Sequence, residues 1–280
     1  MTPIQEIVLE IYKEVKLICE RHNIKYYALG GTLLGAIRHK GFIPWDDDMD
    51  MAIPRPDYDR FLTYAKVELP PHLVPKTYLD EKGDSHPMFI CIIKNVNTKI
   101  ELNHASKVEH TSVWLDVFPL DAMPTNDILR TIHKYRLLYE RMKIQFSMYE
   151  ENVHQHRSGR PFYERTLMKF REVTKFGSNW DTYTLMCHIE KTLRTYDYDA
   201  QGYMVNMFGA YKFKEMFPKE WFGEGVVMPF EDTEIVCPVH YDQVLTQMYG
   251  DYMTPPSEEE KSQQHCMTVV ALGDEGKVEG

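Results

Sequence analysis

Residues 45–53 read WDDDMDMAI, four aspartates set between apolar residues. Because alternate side chains of a strand share a face, an extended conformation places Asp46, Asp48 and Asp50 on one side. The other side is then apolar and can pack on a core. Neighbouring positions on one face are about 7 Å apart, so two of these carboxylates can reach one divalent cation. We predict a strand over about Asp47–Ile53 with a cation at its acidic face.

Two other interpretations of this segment stay open. A solvated acidic loop would carry the same charges, although acids between apolar flanks are untypical of such a loop. An EF-hand would use the aspartates at its first, third and fifth positions, but its sixth position needs Gly. Here that position is Met51, and Pro54 and Pro56 lie inside the loop. A catalytic site is favoured, because Mg²⁺ usually binds one or two carboxylates together with substrate phosphates.

A glycine pair supports phosphate chemistry near these aspartates. Gly30 and Gly31 follow a short predicted strand, and Thr32 begins a predicted helix. Backbone N–H groups at such a turn can hold an anion. The chain has no GxxxxGK[ST] motif, so the turn is not a P-loop.

A further acid lies in the β-prone run Ser112–Phe118. Asp116 is the only acidic residue inside that run, and we predict that it completes the metal site from a neighbouring strand. Asp121, just before Pro124, suits a turn-flanking or helix-capping position instead.

Composition restricts the class of partner. The 280 residues include 42 acidic and 32 basic side chains, for a formal charge of −10. Such a surface repels nucleic-acid backbones, so we expect no nucleic-acid partner. The five cysteines are scattered without a CxxC motif, which favours reduced thiols over zinc or disulfides. With no apolar run of about 18 residues and no secretory signal, we expect a cytoplasmic protein with at most peripheral contact at the inner membrane face.

The periodicity predicts an α+β fold, a mixed sheet flanked by helices with an inserted helical subdomain. Thr2, Pro3 and Gln5 form a capping-box pattern that begins the first helix. The expected organisation has four parts: a core with the metal site at 1–125, a helical subdomain at 126–200, a part at 201–272 that packs back on the core, and a flexible tail at 273–280.

Residues 31–50, GTLLGAIRHKGFIPWDDDMD, resemble the signature of the LicD family of phosphocholine transferases, which is related to the fukutin-type ribitol-phosphate transferases. Residues 55–61, 114–121 and 249–256 are similar to further blocks of that family, and His265 follows the last block. The resemblance covers most of the chain outside the helical region.

The resemblance implies a nucleotidyltransferase-like fold in which Asp48, Asp50 and Asp116 bind the metal, with Asp46 as a secondary ligand. It implies Mg²⁺, with Mn²⁺ as a substitute, and a CDP-choline donor. The acceptor it implies is a hydroxyl of a cell-surface glycan, such as a lipopolysaccharide, teichoic acid or capsule precursor.

The candidate ligand-binding residues form two sets. Phosphate or nucleotide binding is expected at the glycine turn and the nearest arginine: Gly30, Gly31, Thr32 and Arg38. Contact with the remaining substrate groups is expected at His39, Lys40, Trp45 and His265. Solvent exposure is an equal expectation for His39 and Lys40. For Trp45 core packing is the stronger one, although its ring could also attract a choline cation.

Three alternative functions use the same residues. The transferred group could be ribitol phosphate or glycerol phosphate, or the reaction could be nucleotidyl transfer to a sugar phosphate. The chain could also be a ligand-binding member of the fold without activity. Choline-phosphate transfer from CDP-choline releases CMP, whereas nucleotidyl transfer from a triphosphate releases pyrophosphate, so the products distinguish the reactions.

Overall fold

The computed structural model describes residues 1–80, 89–104, 107–149, 166, 169, 173–255 and 267–271. Its α-helices are α1 Pro3–Arg21, α2 Gly30–Arg38, α3 Arg55–Glu68, α4 Asp127–Ser147, α5 Thr182–Leu193 and α6 Tyr241–Tyr249. Its strands are β1 Tyr27–Ala28, β2 Asp50–Pro54, β3 Leu73–Lys76, β4 Cys91–Asn95, β5 Lys99–His104, β6 Lys107–Thr111, β7 Trp114–Met123, β8 Tyr203–Val205, β9 Met216–Pro218, β10 Val226–Phe230, β11 Thr233–Cys237 and β12 Met267–Ala271. This is an α+β fold, as the periodicity predicts.

The main sheet is mixed. Its strand order is β1-β2-β7-β4-β3, and β8 and β9 extend it from β7. The β2–β7 pair is parallel, whereas the other pairs in this sheet are antiparallel. The ten-residue strand β7 therefore lies at the centre, with β2 on one side and β4 on the other.

The capping box at the first helix is confirmed, and it also holds the acidic segment. The Thr2 hydroxyl accepts from Gln5 N at 3.1 Å, and Gln5 Oε1 accepts from Thr2 N at 2.8 Å. Gln5 Nε2 donates to Asp46 O at 2.9 Å, and the Thr2 hydroxyl donates to Asp47 Oδ1 at 3.0 Å. The start of α1 thus fixes the backbone that leads into β2.

The strand through the acidic segment starts later than predicted, at Asp50 instead of Asp47. Before the strand, the start of α1 binds Asp46 O and the side chain of Asp47. Pairing nevertheless begins at Met49, whose carbonyl accepts from Asp116 N at 3.1 Å. The predicted apolar face is confirmed, since Met49, Met51 and Ile53 are fully buried.

The prediction for Asp121 is wrong. Asp121 lies within β7 and is buried, and its carboxylate accepts two hydrogen bonds from Arg55, at 2.6 and 2.7 Å. The cap of α4 is Asn126, whose side chain accepts from the first turn of the helix. β7 continues beyond the predicted Phe118 to Met123, which places Asp121 opposite Val205 of β8.

Among the described residues of the predicted helical region lie the two long helices α4 and α5. The inner faces of α4 and α5 share an apolar cluster with Val205 and Met207. Arg55 of α3 also donates to Glu190 of α5 at 3.1 Å, and this ion pair ties α5 to the core. The division into parts at 125 and 200 stays a prediction, and the predicted tail at 273–280 lies outside the described residues. Among the described helices, none is both long enough and apolar enough to cross a membrane.

Candidate active site

The site is built on the parallel pair of strands β2 and β7. Asp50 and Asp116 are register partners in this pair. The hydroxyl of Thr32, in the first turn of α2, accepts from Asp50 N at 2.7 Å. Two strands and one helix start therefore fix the backbone at the acidic positions.

The glycine turn lies directly against the aspartates. Gly30 has φ +59°, in the left-handed region that favours glycine. A Cβ at Gly30 would lie 2.4 Å from Asp50 Oδ2, and a Cβ at Gly31 would lie 2.5 Å from Asp46 Oδ2. Only residues without side chains allow this contact. It places the positive end of the α2 dipole beside two carboxylates.

Burial and neighbouring carboxylates raise the pKa of four aspartates, Asp46, Asp48, Asp50 and Asp116. Burial and the charge of Asp48 raise the pKa of Asp46 and that of Asp116 to about 8 each. A hydrogen bond between the side chains of Asp46 and Asp48 further raises the pKa of Asp46. Burial raises the pKa of Asp48, and burial with neighbouring carboxylates raises that of Asp50 well above its usual range. The protein alone thus disfavours the ionised cluster, whereas a cation would favour it.

The donor atoms suit a hard divalent cation. Asp116 Oδ1 is buried and has no hydrogen-bond partner, and the neighbouring groups are carboxylate oxygens, the ligands that Mg²⁺ prefers. In the described part of the chain, no three Asp, Glu, His or Cys side chains are already arranged to hold a metal ion. Carboxylate oxygens are the donor type of the Mg²⁺ sites in which one or two carboxylates act together with substrate phosphates.

The predicted cationic residues lie apart from the glycine turn. Arg38 ends α2, about 12 Å along the helix from Gly30. Its guanidinium donates to Tyr252 O at 3.0 Å and to His39 Nε2 at 2.9 Å, and it lies 5.9 Å from the centre of the Trp45 ring. The backbone of Arg38 therefore lies at the opposite end of α2 from the other phosphate-binding candidates.

Of the remaining substrate candidates, three lie near Arg38 and one lies outside the described residues. His39 and Lys40 are exposed, in agreement with one of the two expectations for them. Trp45 is half-buried against the core and contacts His39 edge to face, with ring centres 6.0 Å apart. His265 lies outside the described residues.

Two residues that sequence reasoning missed line the site from the C-terminal part. Glu215 is only 2% exposed, and its charge helps to raise the pKa of Asp50. It accepts from Asn206 Nδ2 at 2.7 Å and from Tyr211 N at 2.9 Å. Burial raises the pKa of Glu215 itself to about 7. The KFKE segment around Glu215 carries no local sign of burial.

Tyr249, the last residue of α6, is the second missed residue. After burial and the neighbouring Tyr211, the charges of Asp50, Glu215 and Asp46 raise its pKa. The rings of Tyr249 and Tyr211 meet edge to face with centres 5.1 Å apart. Tyr249 begins block 249–256, which resembles the LicD family, and this was the sequence feature that could have identified it.

The chain is similar to known proteins over most of its length. Residues 23–167 match the family model described as LicD/FKTN/FKRP, nucleotidyltransferase domain. Lipopolysaccharide cholinephosphotransferase LicD of Haemophilus influenzae is 30% identical over 279 residues, which cover 96% of this chain and 97% of that protein. An uncharacterized protein of Rickettsia typhi is 44% identical over 52 residues, 19% of this chain and 17% of that protein.

A similar short match occurs in Rickettsia prowazekii, where an uncharacterized protein is 46% identical over 48 residues, 17% of this chain and 18% of that protein. The family match and the Haemophilus influenzae relative together show that the protein is a transferase. The chain belongs to the LicD family. The alternative of a binding protein without activity is thereby not supported.

Proposed function

We propose that the protein transfers phosphocholine, or a similar phospho-alcohol, from a CDP-linked donor to a hydroxyl of a cell-surface glycan, and that the reaction depends on Mg²⁺. The register pair Asp50 and Asp116, with the α2 start packed on the same cluster, carries the proposal. Similarity over nearly the whole chain to a lipopolysaccharide cholinephosphotransferase supports the choice of phosphocholine and of a lipopolysaccharide-type acceptor.

The metal would be held by carboxylates from Asp48, Asp50 and Asp116, with Asp46 as a secondary ligand, acting together with oxygens of the donor phosphates. A bound Mg²⁺ would offset the charge of the donor diphosphate as the leaving group departs. Mn²⁺ also suits carboxylate oxygens and is proposed as a substitute. The fit rests on the unpartnered Asp116 Oδ1 and on the raised pKa of all four carboxyl groups.

The start of α2 would position the donor. Amides in the first turn of a helix have no partner within that helix, and they face the end at which an anion is stabilised. Gly30 and Gly31 present this turn without side chains between it and the aspartates. A diphosphate could therefore approach both the amides and the carboxylate-bound cation.

Asp116 would either complete the metal site or serve the acceptor instead. Its Oδ1 atom has no hydrogen-bond partner in the protein, so this oxygen is positioned to take a proton. The acceptor oxygen would bond to the choline-bearing phosphorus, the bond from that phosphorus to the CMP oxygen would break, and the hydroxyl proton would pass to Asp116. Phosphoryl transfer mainly requires such positioning and charge stabilisation.

Ribitol-phosphate or glycerol-phosphate transfer and nucleotidyl transfer to a sugar phosphate would use the same carboxylates. We propose phosphocholine as the transferred group because the relative that matches nearly the whole chain is a cholinephosphotransferase. The reaction products distinguish the alternatives. A cytoplasmic location, with peripheral contact at the inner membrane face, is part of the same proposal.

A donor panel tests the proposal. The purified protein is incubated with Mg²⁺, a lipopolysaccharide-type glycan and one of CDP-choline, CDP-ribitol, CDP-glycerol or CTP with a sugar phosphate. We expect glycan-dependent CMP release with CDP-choline. Asp59→Asn, a substitution at an exposed acid of α3, is the matched control and should leave the rate unchanged. Pyrophosphate release from CTP, or CMP release only with another donor, would show that the transferred group is not phosphocholine.

A further inference from the structure

Helix α4 has an apolar outer face in addition to its buried one. Its buried side packs into the cluster shared with α5. On the opposite side, four large side chains recur at helical spacing and are 57–72% exposed: Ile128, Ile132, Tyr135 and Tyr139. We call these four residues the α4 stripe. A helix that is apolar on two faces buries only one of them within its own fold and leaves the other for a partner.

The charge of α4 is opposite to that of the chain. Its 21 residues include five basic side chains, at 130, 134, 136, 141 and 143, and only two acidic ones, Asp127 and Glu140. Glu140 is buried and accepts from Thr192 at 2.9 Å. Lys143 and Arg136, which pairs with Glu140 at 3.4 Å, lie along one border of the α4 stripe by helical geometry. A locally basic helix in a chain of net charge −10 suits an anionic partner.

The composition of this face is that of a helix lying in a membrane interface. Such helices combine aliphatic and aromatic side chains with Lys or Arg at the border and low overall hydropathy. The two tyrosines suit the level of lipid headgroups, where an apolar ring meets water. Lys143 Nζ lies 5.0 Å from the centre of the Tyr139 ring, so the cation and the ring form one border.

The C-terminal half of α4 also reaches the wall of the active site. The guanidinium of Arg141 donates to the carbonyl oxygen of Met207. Two residues further along, a Cβ at Gly209 would lie 2.1 Å from either carboxylate oxygen of Glu215, the buried acid beside Asp50. Contact of α4 with a surface would therefore hold that surface near the site.

We infer that the α4 stripe docks the protein on an anionic lipid surface, where a lipid-linked glycan would be presented to the active site. The lipid nature of the acceptor rests on the proposed function, whereas the docking itself rests on the exposure and charge of α4. The vesicle and light-scattering measurements distinguish a lipid surface from a second copy of the chain as the partner of the α4 stripe.

Vesicle co-sedimentation of the full chain tests this inference without any turnover. Vesicles of phosphatidylcholine alone are compared with vesicles that also contain phosphatidylglycerol, at low and high salt. Wild type should bind the anionic vesicles, with weaker binding at high salt. The double variant Ile132→Ser with Tyr135→Ser should lose about ten-fold or more of that binding, because it removes two apolar anchors.

The matched control is Val67→Ser with Val227→Ser, two valines that are 81% and 58% exposed outside α4. This control should bind vesicles as wild type does. Equal binding by the stripe variant and wild type, or no preference of wild type for anionic vesicles, would overturn the inference. So would a dimer, measured by light scattering, that the stripe variant loses. Vesicle binding is measured without CMP release, so a failure of the proposed reaction would leave this result unchanged.

Discussion

Asp50 and Asp116 are register partners on the parallel strands β2 and β7, although 66 positions of sequence separate them. Side by side and partly buried, two carboxylates repel each other, and the charge of Asp116 raises the pKa of Asp50. Asp116 Oδ1 makes no hydrogen bond that would offset this cost. The pair therefore has the properties of a cation site.

The glycine turn tolerates no side chain. Gly31→Ala should lower kcat/KM for transfer at least about ten-fold, because the methyl group would lie 2.5 Å from Asp46 Oδ2 and push the carboxylate away from the helix start. Gly250→Ser is the control, since a Cβ there meets nothing within 4 Å, although its φ of +76° will cost some stability. Unchanged kcat/KM in Gly31→Ala would remove the α2 start from the site.

The metal-free protein should lose stability as pH rises. The folded-state pKa of Asp46 and of Asp116 is about 8, above the usual 3.8, so burial is tolerated best when these groups are protonated. Their favourable contribution is present below about pH 4 and is lost as pH approaches 8. In urea denaturation with chelator, Asp116→Asn should therefore show a flatter decline between pH 5 and pH 8 than wild type.

Added Mg²⁺ should reverse this loss. At pH 8 the cation should raise the urea midpoint of wild type, because it binds the folded state only. Asp116→Asn should respond less. A wild-type urea midpoint that does not change with Mg²⁺ at any pH would contradict the assignment of a metal site to these aspartates.

The buried pair of Arg55 and Asp121 should matter for stability. Asp121→Asn leaves a buried guanidinium with one carboxylate partner fewer, and we expect a loss of roughly 3–5 kcal/mol in the free energy of unfolding. Asp59→Asn is the matched control, because Asp59 binds Arg194 at the surface and should contribute less than about 1 kcal/mol. Equal losses in the two variants would show that burial does not distinguish these pairs.

Glu215 should influence the pH dependence of transfer. Its charge helps to raise the pKa of Asp50, so Glu215→Gln should move the acidic limb of the kcat/KM profile to lower pH. Glu220→Gln, an exposed neighbour, should leave the profile in place. If Glu215→Gln lowers the rate equally at every pH, Glu215 only holds the loop that contains Asn206 and Tyr211.

The local features of the fold are predictable from the sequence. The capping box needs only Thr2 and Gln5, three residues apart, and the buried face of β2 follows from the two-residue period of a strand. Asp116 is also recognisable, because a lone acid in an apolar strand has few structural roles.

Features that depend on distant partners are not predictable in this way. Asp121 precedes a proline and resembles a capping residue, but its partner Arg55 is 66 residues away. Glu215 lies in a charged segment that forms a short 3-10 helix, and only the fold buries it. Arg38 is near the aspartates in sequence, yet α2 carries it to the far end from Gly30.

The most direct test measures CMP release from CDP-choline by wild type and by Asp50→Asn while Mg²⁺ is titrated against chelator. We expect wild-type turnover to require the cation, and the variant to lose more than about 10³-fold in rate with an unchanged circular dichroism spectrum, since a metal-centred stabilisation of several kcal/mol is removed. Full wild-type turnover in excess chelator, or an Asp50→Asn rate close to that of wild type, would contradict a cation site at Asp50 and Asp116.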